Sequence, residues 1–262
     1  MSQLIRNMPA EEYHSHPAIS KSGLDRLAET PAHYRWYADH REEMPETDAL
    51  RIGRAFHTML LEPKLFDKEC AVGPDVSRAT KEWKAFAHEN DGKLLLKGDE
   101  HRELQAMCAS ILDHPAARAV LSGKGMIEPS LFWTDETTGV ECRARFDWLR
   151  FDGLIVDLKS ATDASPETFQ GHAWKHRYHV QDAFYREAHE RVTGKPAAGF
   201  VFLVVEKKPP YAVAVYTMDD AARAAGDVTW RNNLSLYAHC KDDDRWPAYS
   251  PKIETLSPPR WA

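Results

Sequence analysis

Leu154-Ile155-Val156-Asp157-Leu158-Lys159 is the stretch on which the fold turns. It follows the Asp152-Gly153 turn with a short apolar run, and its last residues alternate charged and apolar. Side chains alternate along a strand, so Asp157 and Lys159 share a face. Asp147 lies ten residues upstream (157 − 147), near the end of another strand-like run. A strand–turn–strand connection of that length can bring Asp147 alongside, gathering two carboxylates and an ammonium at one end of a sheet. The plain alternative is two turn aspartates and a solvated lysine, since an isolated D-x-K tripeptide is common by accident.

Working outward, residues 166–192 read as helical, with Gln181 and Tyr185 spaced i, i+4 on one helix face. Residues 199–205 are almost continuously apolar, as in a strand covered on both faces. A strand over 211–216 and a helix over 219–237 close the chain. Upstream, 127–134 and 140–150 read as two strands joined by Asp135-Glu136-Thr137-Thr138-Gly139. Before them the texture is helical. Ser20 or Ser22 caps a short helix running into Gly23-Leu24-Asp25-Arg26-Leu27, Thr30-Pro31 ends it, and an aromatic-rich helix covers 32–40. A helix over 50–61 carries Leu50, Gly53, His57, Leu60 and Leu61 on its inner face and stops at Glu62-Pro63. Further helices cover 80–89 and 99–121, the second ended by Ser122-Gly123.

This order predicts an α/β fold with a central mixed sheet flanked by helices and a helical N-terminal extension. The sequence shows no repeat and no low-complexity linker. The expectation is one domain over 1–262: a mostly helical portion 1–122, an αβ core 123–240 and a tail 241–262.

Composition bounds the function. At 43% hydrophobic and 28% charged residues the chain is an ordinary globular one, with no apolar stretch of membrane-spanning length. The N-terminus has no apolar core suited to a signal peptide, so the expected location is cytoplasmic. Cys70, Cys108, Cys142 and Cys240 are scattered, which indicates reduced thiols rather than a disulfide framework, zinc ribbon or iron–sulfur cluster. Neither a phosphate-cradling G-x-x-x-x-G-K-[ST] loop nor a G-x-S-x-G elbow occurs, which removes support for ATP-driven translocation and serine hydrolysis. A net charge of −6 argues weakly against nucleic acid, because a local basic groove can coexist with an acidic remainder.

Paired carboxylates at a strand end suit magnesium, or manganese, which bind hard oxygens and keep several waters. Such an ion can activate water and stabilise charge on a phosphodiester. Lys159 then orients or deprotonates the water or stabilises developing charge; the sequence leaves these roles open. Arg143 and Arg145 alternate on the strand leading to Asp147 and are candidates for DNA phosphate, with structural salt bridges as the alternative. Lys175, His176 and Arg177 form a short basic patch, a DNA backbone contact or a solvated helix face. His172, His176 and His179 invite a zinc reading, but no H-E-x-x-H arrangement or nearby cysteine supports it.

Several segments together resemble a known family: AISKSGLDRL (18–27), TPAHYRWY (30–37), GRAFHTMLLEP (53–63), CRARFDWL (142–149), IVDLKSATDAS (155–165), YHVQDAFY (178–185) and the closing LSPPRWA (256–262). They look like the nuclease domain of RecE-type exonucleases (exonuclease VIII), within the PD-(D/E)XK superfamily, in a stand-alone phage or prophage form. The resemblance runs in order from about Tyr13 to Trp261 and implies a restriction-endonuclease-like core. It implies a catalytic set of Asp147, Asp157, Lys159, Glu128, Gln181 and Tyr185, with metal held by His57, Asp147, Asp157 and the carbonyl of Leu158. Glu128 is either a site-edge group or an ordinary strand residue. Ser160 stands where many relatives carry Thr. The implied activity is Mg2+-dependent degradation of one strand of linear double-stranded DNA, 5′ to 3′, leaving 3′ single-stranded tails for recombination. A ring-like homo-oligomer, a single-strand annealing recombinase as partner, and the cytoplasm of a bacterial host follow from the same resemblance. Structure-specific or endonucleolytic cleavage on the same fold, a non-catalytic DNA-binding or assembly module, or an acidic cluster that binds metal for structure alone remain the alternatives.

Overall fold

Small polar residues set where the N-terminal helices begin. The computed structural model describes residues 2–44 and 46–258; residues 259–262, the end of the LSPPRWA match, lie outside the described residues. Strand β1 (Ser2–Ile5), helix α1 (Ala10–Ser15) and the short strand β2 (Ile19–Ser20) lead into α2 (Lys21–Glu29). Ser20 is its cap, accepting from the Gly23 N–H. Thr30 caps α3 (Pro31–Asp39), with Pro31 in the first turn, where its missing N–H costs nothing.

Thr47 caps α4 (Asp48–Leu61), whose buried face is Ala55 and Phe56. Leu50, expected inside, is 65% exposed. It precedes that pair by five and six residues, which at 3.6 residues per turn puts it on the opposite side. Helix α5 (Pro63–Glu69), strand β3 (Cys70–Gly73), helix α6 (Lys81–Glu89) and strand β4 (Leu94–Lys97) follow, with β3 and β4 paired in parallel. The helix expected over 99–121 is two: α7 (Gly98–Asp113) and α8 (Pro115–Leu121). Pro115 cannot donate to the preceding turn and clashes with it, and His114 Nδ1 caps the new helix by accepting from Ala117 N–H at 3.3 Å.

The central hairpin is likewise broken, once on each arm. The arms are β5 (Gly125–Ile127) then β6 (Ser130–Thr134), and β7 (Glu141–Arg145) then β8 (Trp148–Arg150). Glu128 adopts φ 45° and Pro129 lacks a donor, so the first arm bends there. The second bends opposite it, at Phe146 and Asp147. Two hydrogen bonds bind the bends together: Glu128 N–H to the Asp147 carbonyl at 3.0 Å and Phe146 N–H to the Pro129 carbonyl at 3.3 Å.

Strand β9 (Leu154–Ala161), helices α9 (Pro166–Lys175) and α10 (Tyr178–Thr193), strands β10 (Gly199–Glu206) and β11 (Val213–Tyr216) and helix α11 (Asp220–Asp242) complete the chain. One sheet has the order β11-β10-β9-β8-β5, with β9 and β10 parallel and the other neighbours antiparallel. The outer hairpin forms a second sheet, β1-β6-β7-β2.

The strand alternation on β9 and β10 divides the core. Val156, Leu158, Leu203 and Val205 pack with Phe56, Leu104 and Ile111 of α4 and α7. Ile155, Phe200, Phe202 and Val204 pack with Val180 and Phe184 of α10 and Trp230 of α11. Each such buried large side chain contributes roughly 1.5–3 kcal/mol of transfer free energy, and the two layers clamp β9 between them. This is the expected mixed α/β arrangement with helices on both faces of the sheet. All four cysteines are free and buried. Among the described residues no helix is long and apolar enough to cross a membrane.

Candidate active site

Strand β9 carries two charged side chains into an apolar interior. Asp157 and Lys159 stand on the α10 side, because Val156 and Leu158 are committed to the α4 side. Asp157 is only 3% exposed. Its Oδ1 accepts from Gln181 Nε2 on α10, and its Oδ2 pairs with the Lys159 ammonium. The Tyr185 hydroxyl bonds to Gln181 one helical turn on, and its ring lies 5.0 Å from Phe146 at the hairpin bend. The i, i+4 pair on α10 therefore connects the strand end to the bend.

Asp147 reaches the same place from the sheet plane. β8 pairs with β9 only through Trp148–Val156 and Leu149–Ile155. Opposite Leu158 the strand has already turned away, and the Asp147 side chain takes its place: Oδ2 accepts from Leu158 N–H at 2.6 Å. N–H and C=O of one strand residue point the same way, so the Leu158 carbonyl faces this edge too. From the other side, α4 brings His57 Nδ1 to 3.5 Å from Asp147 Oδ1.

Burial pushes the Asp147 carboxyl up to about 6; nearby Asp157 adds to this, while His57, Lys159 and the Leu158 N–H oppose it. For Lys159, burial favours the neutral amine, but Asp157, Asp147 and Tyr178 outweigh it and keep the ammonium charged. Burial raises the Tyr185 phenol well above its usual range.

Among the described residues no three His, Cys, Asp or Glu side chains form a ready metal cage. The donors nonetheless suit a divalent cation: two carboxylates, an edge carbonyl and an imidazole. Asp147 already binds a proton more tightly than an ordinary carboxyl because of burial and its neighbouring charge. A hard cation relieves the same stress. Held by Asp157, such an ion would share that carboxylate with the Lys159 ammonium.

Other expected residues are placed differently. Glu128 touches Asp147 through its main chain, while its carboxylate points to Arg145, 3.8 Å away. Arg143 and Arg145, expected to face DNA phosphate, are turned into the protein. The bend at Phe146 and Asp147 resets the alternation that was to align them with Asp147. Arg143, 3% exposed, donates to the Tyr13 and His14 carbonyls, and Arg145 to Ser130 Oγ and the Met8 carbonyl, with both guanidiniums over the Tyr13 ring. These arginines fasten the segment around α1 to β7. Lys175 is exposed on α9, and Arg177 pairs with Asp25 at 3.0 Å. His172 and His176 lie with ring centroids 4.2 Å apart at a tilt of 39°, while His179 turns away to stack on Trp174, so the three imidazoles do not converge on a zinc. Two residues without an assigned role in the sequence also stand here. Tyr178 lies under Lys159, and Lys21 is close enough to interact electrostatically with Asp157 and Lys159. Tyr178 heads the YHVQDAFY segment, but only the fold reveals which lysine its ring meets.

A family model described as a PDDEXK-like domain of unknown function (DUF3799) matches residues 20–259. No curated protein is significantly similar in sequence. In three dimensions the chain resembles the crystal structure of a candidate exonuclease from Eubacterium rectale, with a TM-score of 0.65 and 16% identity, over 91% of this chain and 86% of that one. At that identity the likeness is one of fold, and the fold is restriction-endonuclease-like.

Proposed function

Because the chain belongs to the family of PDDEXK-like domains, we propose that it is a metal-dependent exodeoxyribonuclease of the RecE type, acting on linear double-stranded DNA. The observation that carries this reading is the convergence of Asp147, Asp157 and Lys159 at the strand end, with the Leu158 backbone fixed between the two carboxylates.

His57, Asp147, Asp157 and the Leu158 carbonyl would hold the ion, magnesium by preference and manganese as a substitute. When bound, such an ion lowers the pKa of water and neutralises charge on the scissile phosphate. The chain's own groups do the rest. Gln181 fixes the Asp157 carboxylate, and Tyr185 fixes Gln181. Lys159, held as an ammonium, stabilises charge as water's oxygen bonds to phosphorus and the phosphodiester bond to the leaving oxygen breaks. Lys175, exposed beside the site helices, touches the DNA backbone.

Digestion from the 5′ end, 3′ single-stranded products, a homo-oligomeric ring around DNA, work with a single-strand annealing recombinase, and residence in the cytoplasm of a bacterial host belong to the same proposal through the family resemblance. A ring reconciles the net charge of −6 with a polyanionic substrate, because cations need line only the channel. The test is digestion of linear duplex labelled separately at its 5′ and 3′ ends, with magnesium or chelator, for wild type and Lys159→Ala. Early, metal-dependent release of the 5′ label that the variant abolishes is the expected result. Intact linear DNA alongside cut closed circles would overturn the exonuclease assignment.

A further inference from the structure

We propose that Tyr178 is the positioning residue for Lys159, and that it acts through the face of its ring rather than through its hydroxyl. The consequence for turnover rests on the nuclease reading above; the consequence for the lysine's position does not.

The Lys159 ammonium has two anchors: the Asp157 carboxylate and the Tyr178 ring, whose centroid lies 4.7 Å from Nζ. The ring is held from its surroundings. It stacks on Phe202 at 5.4 Å and an interplanar angle of 20°, and Phe202 is fully buried on β10 directly opposite Asp157 in the register. Phe169 of α9 lies 6.1 Å away. The hydroxyl is engaged elsewhere, 3.3 Å from His172 Nε2. Tyr178 opens α10 directly after Arg177, which takes a left-handed conformation and pairs with Asp25. The helix break therefore aims the ring at the strand end.

The two anchors differ in what competes for them. Any cation held by Asp157 draws on the same carboxylate charge that holds Lys159. An aromatic face is neutral and is no ligand for a hard, strongly hydrated ion, yet it attracts an ammonium by its quadrupole. The ring is thus the contact that survives occupation of Asp157. It keeps the ammonium over the site rather than letting it swing to solvent.

The test compares wild type with Tyr178→Phe, Tyr178→Leu, and a chain carrying phenylalanine with three ring fluorines at position 178. The last keeps the ring's shape while weakening its attraction for cations, and it serves if the leucine variant does not fold. Crystal structures of each protein, with and without magnesium, read the Lys159 Nζ position, and steady-state digestion of linear duplex reads kcat and KM. The phenylalanine variant is expected to keep Nζ in place and to turn over within about twofold of wild type. With magnesium present, the leucine and fluorinated variants are expected to displace Nζ and lose on the order of tenfold in kcat at unchanged KM. A phenylalanine variant as impaired as the leucine one would overturn the proposal, because the hydroxyl would then be the active part. A fluorinated ring that holds Nζ as well as phenylalanine does would also overturn it, because shape alone would suffice. If wild type digests nothing, the nuclease reading fails while the Nζ positions still decide the role of the ring.

Discussion

The Asp147 carboxylate accepts the Leu158 N–H at 2.6 Å, occupying the place in the sheet that β8 gives up when it bends. One side chain thus completes the hydrogen bonding of β9 and places a charge at its end. These two duties can be separated by substitution.

Asp147→Asn keeps an acceptor for Leu158 and removes the charge, whereas Asp147→Ala leaves the N–H unpaired. Metal-free unfolding in urea is expected to rank asparagine at or above wild type, with alanine lower by about 1–3 kcal/mol. Both variants are expected to lose nuclease activity by at least about a hundredfold. An asparagine variant with wild-type activity would remove Asp147 from the proposed metal site.

The pH dependence of stability follows from the same carboxyl. Its folded pKa of about 6 lies above the ordinary 3.8, so the folded state binds the extra proton between these values. This contribution to stability is full below pH 3.8 and is lost as pH rises through about 6. Several other carboxyls shift too, so the quantity to measure is the difference between wild type and Asp147→Asn. In chelator, wild type should lose stability relative to the variant across that window, by about 3 kcal/mol. Millimolar magnesium should flatten the difference.

Gln181 supports Asp157 with a neutral donor. Gln181→Ala is expected to lower kcat on linear duplex by roughly tenfold to a hundredfold, consistent with loss of a hydrogen bond to a charged group. Gln181→Glu sets a third carboxylate against Asp157 and Asp147 and should cost more. Calorimetry should show the glutamate variant with altered magnesium affinity, and a variant that behaves as wild type in both assays would make Gln181 merely a packing residue.

Arg143 and Lys175 should separate in opposite ways. Arg143→Ala removes a buried guanidinium bonded to two carbonyls and is expected to destabilise the fold by about 2–4 kcal/mol. At temperatures where it remains folded, its DNA affinity should be unchanged. Lys175→Ala should leave the melting temperature alone, weaken duplex binding in chelator, and reduce the slope of log affinity against log salt by about 1. Unchanged binding would take Lys175 out of the proposed DNA interface.

The site was legible where one local rule decided it. Alternation on β9 put Asp157 and Lys159 on one face, and helical spacing put Gln181 and Tyr185 together. What the sequence concealed were tertiary choices. Arg143 sits on a strand whose outer face is covered by the segment around Tyr13, 130 residues away in the chain, and no periodicity announces that cover. The bends at Glu128 and Asp147 show only as interruptions in two β-rich runs, although Pro129 marked the first of them. Pro115 was an explicit helix breaker within the run 99–121, and it prevailed over a favourable apolar pattern. Strands β1, β3 and β4 are four residues each, too short to show a period.

The parallel pairing of β9 with β10 imposes an order in time. Parallel neighbours need a crossover, and here the crossover is α9 and α10, which carry Tyr178, Gln181 and Tyr185. A chain still emerging from the ribosome makes His57, Asp147, Asp157 and Lys159 first, yet lacks the amide and the ring that fix them until α10 has docked and β10 has closed behind it. Long-range closure of this kind is slow relative to local structure. The site residues therefore gain their full set of supports only after β10, which ends at Glu206, has been made and has paired with β9.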